Sequence, residues 1–261
     1  MTGRLAAHWP HIAARLARAG RLAVLTDFDG TLAPIHRRKE AVELPASVRR
    51  TLERLRAAGH VVGIISGRAL GDLRRRVGLP GLWYAGDHGF FLQSPGGAVR
   101  SLVRPPDRAE VLRAGRALKR RLVGVAGVSL EFKETSVAVH YRGARAASRR
   151  AARRAVGQVT RGRRRLRVLA GRKVLEILPR VPVDKAVAVR AILRAEKRRH
   201  PGPLPAVFIG DDVTDEPVFA LRLSLTVAVG RRPKGAAYRL RSPRGVANLL
   251  NAILAIPRRS T

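Results

Sequence analysis

Short apolar runs alternate with helically spaced segments over the first hundred residues. Leu22-Ala23-Val24-Leu25 is continuous and apolar and ends at Thr26-Asp27; its length predicts a strand buried on both faces, with a loop closing at Gly30. Pro45 to Ala58 places Val48, Leu52 and Leu55 on one helical face and stops at Gly59. Val61 to Ile65 reads as a second buried strand and leads into Ser66-Gly67-Arg68. Leu70 to Val77 is helical in pattern, and Leu82 to Ala85 is a third short strand running into Gly86-Asp87-His88-Gly89. This alternation predicts an α/β fold built on a doubly wound parallel sheet. Such sheets carry their sites at the carboxyl ends of the strands, and each polar segment named so far follows a strand.

The pattern changes at Pro105-Pro106. Asp107 to Val123 is an amphipathic helix in pattern. Ser129 to Lys133 and Ser136 to Tyr141 read as strands, the second alternating Val137, Val139 and Tyr141 against Ala138 and His140. Ala144 to Val159 is a basic helix, followed by strands at Leu166 to Leu169 and Val174 to Leu178. The order αββαββ predicts an α+β module of residues 104–180, a small antiparallel sheet with helices on one face. It is inserted into a core made of residues 1–103 and 181–261. The first pattern then resumes: a helix at Ala186 to Arg198, a buried strand Ala206 to Ile209 ending in Gly210-Asp211-Asp212, a helical Pro217 to Leu221, a strand Leu225 to Val229 and a final helix Val246 to Leu254. No internal repeat is visible.

Acidic residues are scarce, 18 against 53 Lys and Arg, and six of them fall in two segments: Asp27 and Asp29, then Asp211, Asp212, Asp215 and Glu216. Both segments follow apolar strands. Asp also serves as helix cap and turn former, but two clusters at corresponding strand ends fit a shared site better. Crowded carboxylates repel one another and need a cation. With no Cys in the chain and no paired His at helical spacing, the oxygen-only set points to a hard ion such as Mg²⁺. A carboxylate at Asp27 can attack phosphorus, and one two residues on, Asp29, can protonate the leaving oxygen and then activate water. Ser66 and the amides near Gly67 can donate to phosphoryl oxygens, and Lys185 can add a fixed positive charge.

The net charge of +35 admits solvated arginines or an anionic partner such as nucleic acid. Arginine is spread along the whole chain, with no basic tail and no aromatic interleaving for base stacking, which weighs against nucleic acid. A positive field also draws in phosphorylated substrates. No stretch approaches the ~20 apolar residues of a membrane span. Met1 to Arg21 carries scattered arginines and lacks the pattern of a secretory signal. A cytoplasmic monomer that does not engage membranes is expected, and the absence of Cys fits a reducing compartment.

Taken together, Asp27-Phe28-Asp29-Gly30-Thr31-Leu32, Ser66-Gly67-Arg68, Lys185 and Gly210-Asp211-Asp212-Val213-Thr214-Asp215-Glu216 resemble the four motifs of the haloacid-dehalogenase-like phosphohydrolases. That superfamily implies a Rossmann-like core and a phosphoaspartate mechanism with Mg²⁺. By this resemblance Asp27 is nucleophile and metal ligand. Asp29 is acid/base and ligates through its backbone carbonyl. Ser66 and Lys185 hold the phosphate, Asp211 ligates the metal, and Asp212 and Asp215 complete its surroundings or position Lys185, with Thr31 and Gly67 in support.

A closer resemblance, across nearly the whole chain, is to the trehalose-6-phosphate phosphatase family. It is carried also by Thr31-Leu32-Ala33-Pro34-Ile35, Gly86-Asp87-His88-Gly89, Glu131-Phe132-Lys133, His140-Tyr141-Arg142 and Lys173-Val174-Leu175-Glu176-Ile177. It implies hydrolysis of trehalose 6-phosphate to trehalose and phosphate. The inserted module would act as a cap over the core, with Glu131, Lys133, Arg142 and Glu176 on the sugar side and Arg68 and His88 near the cleft. Phosphatases for sucrose phosphate or mannosyl-phosphoglycerate have related caps and stand as alternatives. A basic nucleic-acid-binding protein on the same fold is the alternative of another class. Phe28 stands where the family usually has Tyr, and Asp87 where it often has a small polar residue or Asn. From the residues alone, Glu131 and Lys133 share one strand face, as do His140 and Arg142. Such a face suits either solvent or a hydroxyl-rich ligand.

Overall fold

The computed structural model describes residues 3–36, 38, 41–171, 173–231 and 233–257. Two compact units divide the chain, residues 1–100 with 183–261, and residues 101–182.

The first unit is built around β1 (Ala23–Thr26), β2 (Val61–Ile65) and β3 (Trp83–Gly86), joined by α2 (Ala46–Ala57) and α3 (Leu70–Val77), with α1 (Arg4–Ala17) ahead of them. Strands β4 (Phe91–Gln93) and β5 (Val99–Ser101) follow. After the intervening segment come α6 (Lys185–Arg199), β10 (Ala206–Gly210), α7 (Glu216–Phe219), β11 (Leu225–Val229), β12 (Tyr238–Leu240) and α8 (Pro243–Leu254). The strands form one sheet in the order β12-β11-β10-β1-β2-β3-β4-β5. Pairing is parallel from β12 through β3, and β4 returns antiparallel on β3. Every residue of β1, β2, β10 and β11 is buried, which is why these strands read as unbroken apolar runs. One face packs Leu25, Ile65, Trp83 and Phe208 against Ala188, Val189 and Ile192 of α6. Val24, Val62 and Ile64 alternate to the other face, where α2 lies on β2 and against α8. Burial of each large aliphatic side chain contributes about 1.5–3 kcal/mol.

The second unit contains α4 (Pro105–Leu122), β6 (Ser129–Phe132), β7 (Val137–His140), α5 (Ala146–Thr160), β8 (Leu166–Gly171) and β9 (Val174–Pro179). Its sheet runs β6-β7-β9-β8, antiparallel throughout. Val111, Ala114 and Leu118 of α4 and Ala152, Val156 and Val159 of α5 pack on Val137, Val139, Tyr141 and Ile177. The register sets Glu131 beside Ala138 and Ala138 beside Glu176, so both carboxylates lie on the face turned away from the helices.

Four elements escape the apolar pattern: α1, β4, β5 and β12. In α1 only Leu5, Ile12 and Leu16 are buried among arginines. All three residues of β5 are exposed, so no run marks it. Helices α4 and α8 start earlier than expected, at Pro105 and Pro243, because proline in the first turn gives up an N–H that has no partner there.

Candidate active site

Four neighbouring strands end side by side. Thr26 pairs with Ile209 on one side and Ile64 on the other, and Ile64 pairs with Tyr84. The next residues therefore line up as Asp211, Asp27, Ser66 and the Asp87–His88 turn. Hydrogen bonds continue the sheet into the loops: Asp27 N–H donates to Ile209 O (2.8 Å), Ser66 N–H to Ala85 O (2.8 Å), and His88 N–H to Ser66 O (3.0 Å). Asp87 and His88 sit at φ 48° and 59°, a left-handed pair without glycine, which costs energy that the surrounding bonds must offset.

Close approach explains two of the glycines. A Cβ on Gly30 would overlap the Asp211 carboxylate, and one on Gly67 would overlap the His88 ring. Both motif glycines are therefore room for another site residue.

Lys185 opens α6 behind the N-cap Asp184, whose carboxylate accepts Val187 N–H (3.0 Å). Its Nζ donates to Asp27 Oδ1 (2.7 Å) and Asp215 Oδ1 (2.6 Å), and all three side chains are buried. Burial pushes the Lys185 ammonium down, but the two carboxylates outweigh it and hold the group above its ordinary range. Burial drives Asp27 well up; Lys185 pulls it back, while Asp215 and Asp211 push it further up. Asp211 is pushed up to about 7, first by burial and then by Asp215, against the pull of Lys185. Asp27, Asp211 and Asp215 each offer one oxygen, and the three atoms lie within 4.8 Å of one another. Asp212 plays another part: Oδ1 accepts Val213 N–H (2.8 Å), and its own N–H donates to Asp215 Oδ2 (3.0 Å), a reciprocal cap on the turn after β10. The Thr31 hydroxyl is buried with no hydrogen-bond partner among the described residues.

The Asp29 carboxylate is gripped by Arg68, Nε to Oδ2 at 2.7 Å and Nη2 to Oδ1 at 2.6 Å. Arg68 Nη1 also donates to Asp72 Oδ2 (2.8 Å), Asp72 takes Arg76 Nε (2.9 Å), and Arg76 Nη1 donates to Val42 O (2.7 Å). Burial raises Asp72, but its bonds from Arg76 and Arg68 prevail and hold it below the usual carboxylate range. Ser66 Oγ accepts Arg68 N–H (3.2 Å), which leaves its own proton to donate. The expected set omitted Asp72 and Arg76; the i, i+4 spacing of Arg68, Asp72 and Arg76 was the signal that could have found them.

Within the second unit, Lys133 Nζ and Ser136 Oγ both donate to Glu176 Oε1 (2.7 Å each), and Glu131 Oε2 meets His140 Nε2 at 2.7 Å. Arg142 is exposed in the turn after β7, with no side-chain partner among the described residues. Ser136 and His140 were not among the expected contacts, though both fall on the same strand face as Glu131 and Lys133.

Comparison with known proteins follows the same lines. The model of the trehalose-phosphatase family matches residues 25–233. The trehalose-phosphate phosphatase of Mycobacterium marinum is 39% identical over 238 residues, 87% of this chain and 60% of that protein. That of Mycobacterium tuberculosis is 36% identical over 245 residues, 88% and 61% respectively. The chain thus spans about three fifths of the length of the curated relatives it matches. Among solved structures, the C-terminal domain of Candida albicans trehalose-6-phosphate phosphatase aligns with a TM-score of 0.76 at 22% identity, covering 95% of this chain and 97% of that one. Aspergillus fumigatus trehalose-6-phosphate phosphatase aligns at 0.63 and 26% identity, covering 94% and 96%.

Proposed function

The chain belongs to the trehalose-phosphatase family, and from that premise we propose that it hydrolyses trehalose 6-phosphate to trehalose and phosphate in the cytoplasm. The observation that carries the reading is the buried Asp27–Lys185–Asp215 chain, with Asp211 alongside, at the carboxyl end of a parallel sheet.

The donor set fits Mg²⁺. Three carboxylate oxygens lie close together, with no sulfur or imidazole among them. Asp27 and Asp211 would hold the ion, with Asp29 adding its backbone carbonyl and Asp212 and Asp215 completing its surroundings. When bound, Mg²⁺ supplies charge neutralisation for the phosphoryl oxygens and the nucleophile.

An Asp27 oxygen attacks phosphorus, and the bond from phosphorus to the sugar oxygen breaks as Asp29 gives that oxygen a proton. Water then attacks the aspartyl phosphate, Asp29 accepts its proton, and the Asp27 oxygen leaves. Lys185 holds charge beside Asp27, and the Ser66 hydroxyl donates to an equatorial oxygen. Arg68 orients the Asp29 carboxylate through its fork. His88 lines the end of the site beside Gly67. Selection of the disaccharide falls to the polar face of the second unit, where Lys133 and Ser136 bond Glu176, Glu131 meets His140, and exposed Arg142 offers a guanidinium with no side-chain partner among the described residues.

Purified protein with Mg²⁺ is expected to release phosphate from trehalose 6-phosphate at least about a hundredfold faster, in kcat/KM, than from glucose 6-phosphate or sucrose 6-phosphate. Equal rates across that panel, or none with trehalose 6-phosphate, would overturn the assignment.

A further inference from the structure

The second unit holds less than a third of the chain yet carries about half of its net charge, with 22 basic residues against 5 acidic ones. All five acids are engaged. Asp107 meets Arg104, Glu110 meets Arg113 and Arg163, Glu131 meets His140, Glu134 meets Arg108, and Glu176 meets Lys133. None of the five is left for the outer side of α5, and the helix itself contains no Asp or Glu.

Its inner side, Ala152, Ala155, Val156 and Val159, is buried. At 100° per residue the opposite side is Arg150, Arg154 and Arg161, and the turn beyond adds Arg164 and Arg165. All five are exposed, and none has an acidic partner among the described residues. Arg150 and Arg154 stand about 6 Å apart, and the stripe to Arg161 runs about 16 Å along the helix. Arg153 lies beside it, over the Tyr141 ring at 5.7 Å.

We propose that this stripe is a docking surface for the phosphate backbone of nucleic acid, read without sequence preference. Every basic residue from 145 to 165 is arginine, whose planar fork matches phosphodiester oxygens in pairs. Backbone contacts need no stacking aromatics, so the lack of aromatic interleaving excludes single-strand base stacking and leaves duplex binding intact. A lipid surface fits less well. The exposed large apolar residues of this unit are Val123, Phe132 and Val168, and none lies on α5 to enter a bilayer.

The test is fluorescence anisotropy of a short labelled DNA duplex with the full chain, titrated with salt around physiological ionic strength. Binding is expected to weaken with a log–log slope of about −4, close to one unit for each of about four phosphate contacts. Arg150→Glu/Arg154→Glu is expected to weaken it at least about tenfold and to flatten the slope by about 2. Arg241→Glu/Arg244→Glu makes the same charge change at exposed positions of the first unit and is expected to stay within about twofold of the parent. Should the first pair unfold the protein, Arg150→Gln/Arg154→Gln carries the same expectation at about half the effect. Absent binding at physiological salt, equal weakening by both pairs, or tighter binding to anionic phospholipid vesicles than to the duplex would each overturn the proposal.

Discussion

Asp211 lies against Gly30, partly buried and close to two other carboxylates, and that crowding makes its proton affinity a measurable quantity. Its carboxyl is pushed up to about 7, whereas in the unfolded chain it titrates at its ordinary value of 3.8. Between those limits the folded, metal-free protein binds more protons than the unfolded chain, so stability falls as pH rises. Asp27 shifts in the same direction. The thermal midpoint of metal-stripped protein is therefore expected to drop as pH rises from about 4 to about 7. Mg²⁺ is expected to restore it at the upper end, where the ligands are free of protons. A flat profile, or no effect of Mg²⁺, would contradict this electrostatic picture. The acids themselves were legible in the sequence because acidic residues are so scarce in this chain. Their division of labour was not: Asp212 and Asp215 are three residues apart, and only the turn after β10 decides that Asp215 faces Lys185 while Asp212 caps the backbone.

Helix α3 illustrates how an element fixes a side chain it does not carry. Asp72, one turn in, holds Arg68 just ahead of the helix, and Arg76, one turn on, braces Asp72. The Arg68 fork is thereby aimed at Asp29, which is 39 residues away in sequence, a pairing that no local spacing reveals. Arg68→Ala is expected to lower kcat about tenfold to a hundredfold while KM changes less than about threefold, since general acid–base efficiency depends on orientation. Arg68→Lys is expected to recover only part of the loss, because an ammonium cannot reproduce the fork. A raised KM with unchanged kcat would instead make Arg68 a substrate contact. Elsewhere, element legibility followed burial only in part, since buried β4, three residues long, escaped the pattern and partly exposed β6 did not. The central strands are buried on both faces and show as apolar runs, whereas exposed β5 and the edge strand β12 do not. Strand β7 shows in the sequence because it alternates sharply, with Val137 and Val139 toward the helices.

At the scale of the molecule, the first unit assembles a buried charge chain at the ends of its central strands. The second sets a polar sheet face opposite two basic helices. The sheet topology explains why residues from four separated segments meet: parallel strands β10, β1, β2 and β3 all end on the same side. Everything in the proposed reaction depends on Asp27 taking the phosphoryl group. The direct measurement mixes the protein and Mg²⁺ rapidly with trehalose 6-phosphate radiolabelled in its phosphate, quenches in acid within one turnover, and maps the labelled peptide. Label is expected on the peptide that contains Asp27, and Asp27→Asn is expected to abolish both the label and phosphate release while leaving the thermal midpoint near that of the parent. Phosphate release at full rate with no label on the protein, or label on a peptide without Asp27, would contradict it.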